Sequence, residues 1–191
     1  SFELIANKQK IICNTGYGKY LSPKLAEISR STAAHSTLYL NDTSSCVFQK
    51  NKFINKTYGN SLLQKHKVIG KNYFEDKDYF ALSASHNGYE KRFGYIHKRS
   101  IKIFKKEDKI FGEDELRQIK KYSDSLAYCI RFHIYPDTKI VKTKAGNSVL
   151  ISLPNGEGWL LQSQTNKFEI EKNIYLGNKK KIINNENIYI Q

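Results

Sequence analysis

The 191-residue sequence predicts an all-β fold, an antiparallel β-sandwich, and three observations carry that reading. Short runs rich in Ile, Val, Phe and Tyr recur along the whole length, and many alternate between apolar and polar side chains. Turn-forming residues punctuate them, and helical periodicity is nearly absent. No segment repeats at a fixed period, which excludes a solenoid or propeller.

Taken in order, the chain opens with a strand-like run that places Phe2, Leu4 and Ala6 on one face. Ile11, Ile12 and Cys13 form the next strand, closed by the turn Asn14-Thr15-Gly16. Pro23 to Ile28 can make one helical turn. Arg30 to Leu40 is a small-residue turn that delivers His35 to the mouth of a strand, Ser36 to Leu40. Further strands are read at Cys46 to Phe48, Tyr79 to Leu82, Tyr128 to Tyr135 and Lys139 to Lys142. Ile101 to Phe104 and Ile110-Phe111 form a hairpin around the charged loop Lys105 to Lys109. Glu113 to Tyr122 reads as a short amphipathic piece or a charged loop. Val149 to Leu153 and Trp159 to Gln162 form a second hairpin across Pro154-Asn155-Gly156-Glu157-Gly158. The Lys/Asn/Ile-rich end, Asn178 to Gln191, closes on alternating Ile188 and Ile190, read as a last edge strand.

Thirty-two Lys and Arg against 18 Asp and Glu give a net charge of +14. That excess fits a polyanionic partner, and equally a surface solubilised by scattered lysine. The 13 tyrosines interleaved with lysine permit base stacking, but no RNP-like aromatic motif is present, so nucleic acid is not an expected partner. No apolar run approaches the roughly 18 residues of a transmembrane helix. Cys13, Cys46 and Cys129 share no close spacing, so neither a zinc knuckle nor a disulfide framework is implied, although one pair can bridge in an oxidising compartment. The chain has no Met and begins directly on a strand, which reads as a piece of something longer.

No signature of a complete catalytic machine is present: no GxSxG elbow, P-loop, HExxH or strand-linked GxGxxG. Glu113-Asp114-Glu115 reads as a solvated charge run rather than a catalytic carboxylate pair. The five histidines differ in setting. His35 enters a strand. His86 sits in the turn Ser85-His86-Asn87-Gly88-Tyr89, closely followed by Arg92. His97 lies on a strand with basic neighbours, and His133 alternates with Arg131 and Tyr135. His66, in a Lys-flanked loop, reads as solvent-facing. A hydrogen-bonded structural histidine is the commoner role for any one of them.

One ordered series of motifs spans nearly the whole chain. It runs through Ser1-Phe2-Glu3-Leu4, Ile11 to Gly16, Arg30 to Leu38, Ser85 to Tyr89, Arg92 to Arg99, Gly112-Glu113-Asp114, Ile130 to Pro136 and Leu153 to Trp159. This series resembles the C-terminal domain of heparinase II/III-like proteins of the alphaproteobacterial branch, over residues 1–191. The resemblance implies a supersandwich-type β-sandwich that follows an N-terminal helical α/α toroid, in a periplasmic or cell-envelope protein. It implies a polysaccharide lyase acting on uronate-containing acidic glycans, glycosaminoglycans among them, by β-elimination. Such a reaction needs a group that neutralises the uronate carboxylate, a base, and a tyrosine that protonates the leaving oxygen. In the family the tyrosine and the neutralising group lie on the toroid. The resemblance therefore assigns no catalytic residue to this chain and predicts that it is inactive alone. Its expected partners are an acidic polysaccharide and its own helical domain, with Arg30, His35, His86 and Arg92 lining the substrate cleft. Arginine suits bidentate carboxylate recognition.

Several family members hold a zinc in the sandwich. By resemblance His35 matches one ligand, while Asn14 stands where the family places an Asp and Ser36 where it places an Asn. A structural zinc on His35 and Asn14 is therefore the cofactor expectation. The same two departures support an alternative: a non-catalytic module that binds anionic glycan or serves envelope structure.

Overall fold

Antiparallel strands dominate the computed structural model, which describes residues 1–58, 61–64, 66–122 and 124–191. The chain divides into two units, Ser1–Ser44 with Leu126–Gln191, and Ser45–Ser125. In chain order the elements are β1 (Leu4–Ala6), β2 (Gln9–Cys13), α1 (Pro23–Ile28) and β3 (Leu38–Leu40). The second unit supplies β4 (Val47–Phe48), α2 (Lys52–Tyr58), β5 (Leu62–Gln64), β6 (Val68–Glu75), β7 (Tyr79–His86), α3 (Glu90–Phe93), β8 (Tyr95–Phe104) and β9 (Ile110–Gln118). The chain then returns to the first unit through β10 (Tyr128–Ile134), β11 (Lys139–Lys142), β12 (Ser148–Ser152), β13 (Gly158–Gln162), β14 (Glu169–Tyr175) and β15 (Ile183–Ile190).

The first unit is the sandwich. Its larger sheet runs β1-β2-β10-β15-β14, with β3 also paired to β10, and its smaller sheet runs β11-β12-β13. Period-two alternation sends Ile12, Ile134, Ile188 and Ile190 of the larger sheet into one core with Val149 and Ile151 of the smaller. Phe2, Leu4 and Ala6 pack on that core, as their shared face in the sequence requires. The other face of the larger sheet is polar: the register sets Arg131 opposite Tyr189 and His133 opposite Asn187 and Cys13. The helical turn read at Pro23 to Ile28 forms as α1. Proline occupies its first turn, and the Ser22 Oγ accepts the Leu25 N–H at 3.1 Å as the N-cap.

The second unit holds the meander β6-β7-β8-β9 and the two-stranded sheet β4-β5. The helix α3 ends on Gly94, whose φ of 75° is the left-handed C-terminal cap that favours glycine. Its carbonyl accepts the N–H groups of Ile119 and Lys120.

Two sequence expectations are corrected. Glu113 to Tyr122 contributes to strand β9, paired along β8, because Glu113, Glu115 and Arg117 alternate with the less exposed Asp114 and Leu116. The C-terminal strand β15 lies between β10 and β14 rather than at the edge, since β14 covers its outer ladder.

Candidate functional site

In the first unit the small-residue turn that carries His35 is fastened to β2 and β10 by its own backbone. The Thr15 N–H donates to the Ala34 carbonyl at 2.9 Å. The fully buried Ser36 hydroxyl donates to the Cys13 carbonyl at 2.6 Å and accepts the His133 N–H at 2.9 Å. The Ser36 N–H donates to Asn14 Oδ1 at 3.0 Å. Ala34 and Ser36 are both buried in this contact, consistent with the small residues of the turn.

His35 follows the 3-10 turn Thr32–Ala34 in extended backbone and is half-buried. Its Nδ1 lies 2.8 Å from the Ser31 carbonyl, which can only accept, so Nδ1 carries a proton and, in the neutral ring, Nε2 is the nitrogen with the lone pair. A neutral imidazole fixed in this tautomer can accept a proton, a hydrogen bond or a single metal bond at Nε2.

Beside the turn runs a polar row, buried at His133 and Asn187 and half-buried at Glu171 and Asn173, whose protons follow from one carboxylate. Glu171 can only accept, so Asn187 Nδ2 donates to it at 3.2 Å and Asn187 Oδ1 faces Asn173. Asn173 Nδ2 then donates to Asn187 Oδ1 at 2.9 Å and to His133 Nδ1 at 3.1 Å. Thr15 Oγ1 also approaches that Nδ1. His133 Nε2–H is left to donate to the Ala33 carbonyl at 2.9 Å. Burial, opposed by the Ala33 hydrogen bond, holds the His133 imidazolium down to about pKa 4, so the ring is neutral at pH 7. Arg131 closes the row on Glu171 at 2.9 Å. None of Asn173, Asn187 or Glu171 was legible as a site residue, because they sit in Lys/Asn/Ile-rich sequence.

The zinc expectation meets a mixed donor set. His35 Nε2 fits as one ligand. Asn14 is a weak neutral donor, and its Oδ1 already accepts the Ser36 N–H while its Nδ2 donates to Glu3 Oε1 at 3.1 Å. Among the described residues no group of three His, Cys, Asp or Glu is placed to hold a metal ion.

The second unit holds a different histidine cluster. The Gly88 N–H donates to His86 Nδ1 at 3.1 Å, so His86 Nε2–H must donate to His97 Nδ1 at 3.0 Å. His97 Nε2–H then donates to Asp114 at 2.6 Å, and Asp114 takes Arg99 in a bidentate pair at 2.8 and 2.7 Å. Sheet register produces this arrangement by setting His86 opposite His97 and Arg99 opposite Asp114. Burial, reinforced by His97, pushes His86 down to about pKa 3. Burial alone would raise Asp114, but the His97 and Arg99 hydrogen bonds overcome it and hold its carboxyl at about pKa 2. Asp114 is therefore a buried ion-pair partner rather than part of a solvated charge run. His66 is not simply solvent-facing: its Nδ1 lies 3.0 Å from Cys46 Sγ and its ring 5.0 Å from that of His86. Its neighbour Lys65 lies outside the described residues.

Of the four cleft residues read from the sequence, Arg30 and His35 fall in the first unit, and His86 and Arg92 in the second. Arg30 is half-buried after α1, and Arg92 is exposed on α3. His86 is spent on internal hydrogen bonds at both ring nitrogens. All three cysteines are free. Burial pushes the Cys13 thiol up to about pKa 12, with Glu3 adding to the shift, and also raises Cys129.

Among known proteins, FtsZ-localized protein C of Caulobacter vibrioides is 26% identical over 182 residues, covering 89% of this chain and 30% of that protein. Heparan sulfate lyase HepC from Pedobacter heparinus superposes with a TM-score of 0.72 at 16% identity, over 98% of this chain and 26% of that one. A heparinase III gene product gives a TM-score of 0.71 at 14% identity, with the same coverage. The chain thus spans 30% or less of the length of each of these proteins. The family model described as heparinase II/III-like, C-terminal, matches residues 1–190, so the chain belongs to that family, with the β-sandwich fold of its solved lyases.

Proposed function

We propose that this chain is the β-sandwich domain of a polysaccharide lyase that cleaves uronate-containing acidic glycans by β-elimination. The observation that carries the reading is the His35 turn, which fixes the imidazole by its Nδ1–H on the Ser31 carbonyl and leaves Nε2 as its other nitrogen. In this reading Nε2 of His35 accepts a hydrogen bond or a proton at the substrate and the Arg30 guanidinium of the same unit meets an anionic group, while Arg92 of the second unit is a separate candidate for anionic contact. A tyrosine on a helical domain outside these residues protonates the leaving oxygen. The setting proposed is the periplasm or cell envelope. The described residues include no helix long and apolar enough to cross a membrane.

The test is a panel of uronate glycans offered to the whole protein, followed at the ultraviolet edge where an unsaturated uronate absorbs. The absorbance should rise, and His35→Ala should lower the rate by about 10²-fold or more, the scale of a lost acid–base group. Arg92→Ala, at an exposed site, should weaken glycan binding while the thermal midpoint stays in place. This chain by itself should produce no unsaturated product.

A second reading has its own support. Asn14 and Ser36, at positions where the family carries other residues, are both committed to holding the turn, and one relative is named for localisation with FtsZ. A non-catalytic module would bind acidic glycan and yield no product across the panel.

A further inference from the structure

Glycine packing gives the first unit a basic surface that none of its established features accounts for. Gly16, at a φ of 87°, lies so close to the Gly177 backbone that a side chain at Gly16 would collide with it, and a side chain at Gly177 would collide with the Tyr175 ring. The Leu176 N–H donates to the Thr15 carbonyl at 2.6 Å across the same contact. Two loops distant in sequence are thereby held together, residues 14–22 and residues 176–182. The first loop exposes Tyr17 and Tyr20, 52% and 65% accessible, on either side of the exposed Lys19. The second exposes Lys179, Lys180 and Lys181 in succession. Asn178 Oδ1 accepts the backbone N–H groups of Lys180 and Lys181, which fixes the run in a turn. The Lys179 ammonium stands 5.4 Å from the centre of the Tyr20 ring. None of these four lysines pairs with a carboxylate among the described residues, and neither loop contains an acidic residue.

We propose that this surface binds an acidic polysaccharide, with Tyr17 and Tyr20 stacking on sugar rings and Lys19 and Lys179 to Lys181 meeting carboxylate or sulfate groups. The choice of glycan as the polyanion rests on the lyase-family reading above. The surface itself rests only on the loop contact and the charge. Two exposed tyrosines give flat apolar faces with a hydroxyl rim, which suits a ring that is apolar on its face and polar at its edge. Four unpaired ammonium groups supply point charges that need no fixed geometry, as the irregularly spaced anions of a glycan require.

The test measures binding of the chain to polygalacturonate, a sulfate-free uronate polymer, over a salt series. Dextran, a single-stranded oligonucleotide and phosphatidylserine vesicles serve as rivals. One variant replaces Lys179, Lys180 and Lys181 with Gln together, and a second is Tyr20→Ala; all four positions are exposed. The control replaces Lys71, Lys77 and Lys91 of the second unit with Gln, an equal change of charge at exposed positions. The lysine triple should weaken polygalacturonate binding about tenfold or more and flatten its salt dependence. Tyr20→Ala should weaken it several-fold with the salt dependence unchanged, and the control should remain near the parent. Loss in the control as large as in the triple would overturn the proposal, since bulk charge would then suffice. Tighter, triple-sensitive binding of the oligonucleotide or the vesicles would overturn it too, as would no binding of polygalacturonate. Absence of unsaturated product with this binding pattern intact removes the lyase reading and leaves the surface. Product formed by the triple variant at an unchanged KM removes the surface and leaves the lyase.

Discussion

Asn14 holds the His35 turn with both ends of its amide, accepting the Ser36 N–H and donating to Glu3. Asn14→Asp keeps the acceptor but turns the donor into a carboxylate oxygen facing Glu3. The exposed setting of Glu3 screens much of that repulsion, so the expected loss is about 1–2 kcal/mol. It should appear as a lowered urea midpoint, and Glu3→Gln in the same background should recover most of it, because glutamine removes the like charge. No recovery would mean that the cost comes from elsewhere. Asp114 carries a larger stake in the second unit. Its carboxylate answers both His97 and Arg99 with only 8% of its side chain exposed, and Asp114→Ala removes the charge that both of them meet. A loss of about 3–5 kcal/mol is expected from removing one member of a buried pair. Arg92→Ala, exposed on α3, should stay within about 0.5 kcal/mol.

At the scale of elements, β12 shows how far local pattern reaches. Val149 and Ile151 are buried at 0% and 2%, whereas Leu150 between them is 44% exposed. Ile151→Ala should therefore cost about 2–4 kcal/mol, and Leu150→Ala much less, in paired urea titrations. Equal losses would contradict the placement of the core. The same alternation made β10 and β13 legible, and it put Arg131, His133 and Tyr135 on one face before any contact was known, whereas β2 reads from the continuous apolar run Ile11 to Cys13, buried throughout. It failed at β9 because Glu113 and Glu115 are exposed on either side of Asp114, and the partner that justifies Asp114 lies across the hairpin on β8. The interior position of β15 was hidden for a related reason: strand order is set by pairing with β10 and β14, which no local window contains. At the candidate site His35 could be singled out by its turn and family motif. The row that supports the turn could not, since Glu171, Asn173 and Asn187 gain meaning only through contacts with β10.

Across the whole molecule, each unit keeps one histidine neutral: His133 in the first, near pKa 4, and His86 in the second, near pKa 3. Both values lie below the ordinary imidazole value of about 6.5. As pH falls below that value the unfolded chain takes up protons that the folded chain refuses, so stability must drop. The drop should begin near pH 6.5 and approach about 1.4 kcal/mol per pH unit for each histidine. The His133 contribution levels off near its folded pKa of about 4. Asp114 acts in the same direction at lower pH. Its folded pKa of about 2 lies below its unfolded value, so its contribution is present above about pH 4 and is lost as pH falls toward 2. Trp159 is the single tryptophan and lies on β13 of the first unit, so its fluorescence reports the unit that contains His133. Urea midpoints read from Trp159 should be level from pH 8 to 7 and fall between pH 6.5 and 4.5. Nitrogen chemical shifts should show His133 still neutral at pH 5.5, with its proton on Nε2. A flat midpoint across that range, or a His133 that titrates near 6.5, would mean that the row from Glu171 to Ala33 does not hold the ring as described. The His35 turn would then lose the support on which its presented nitrogen depends.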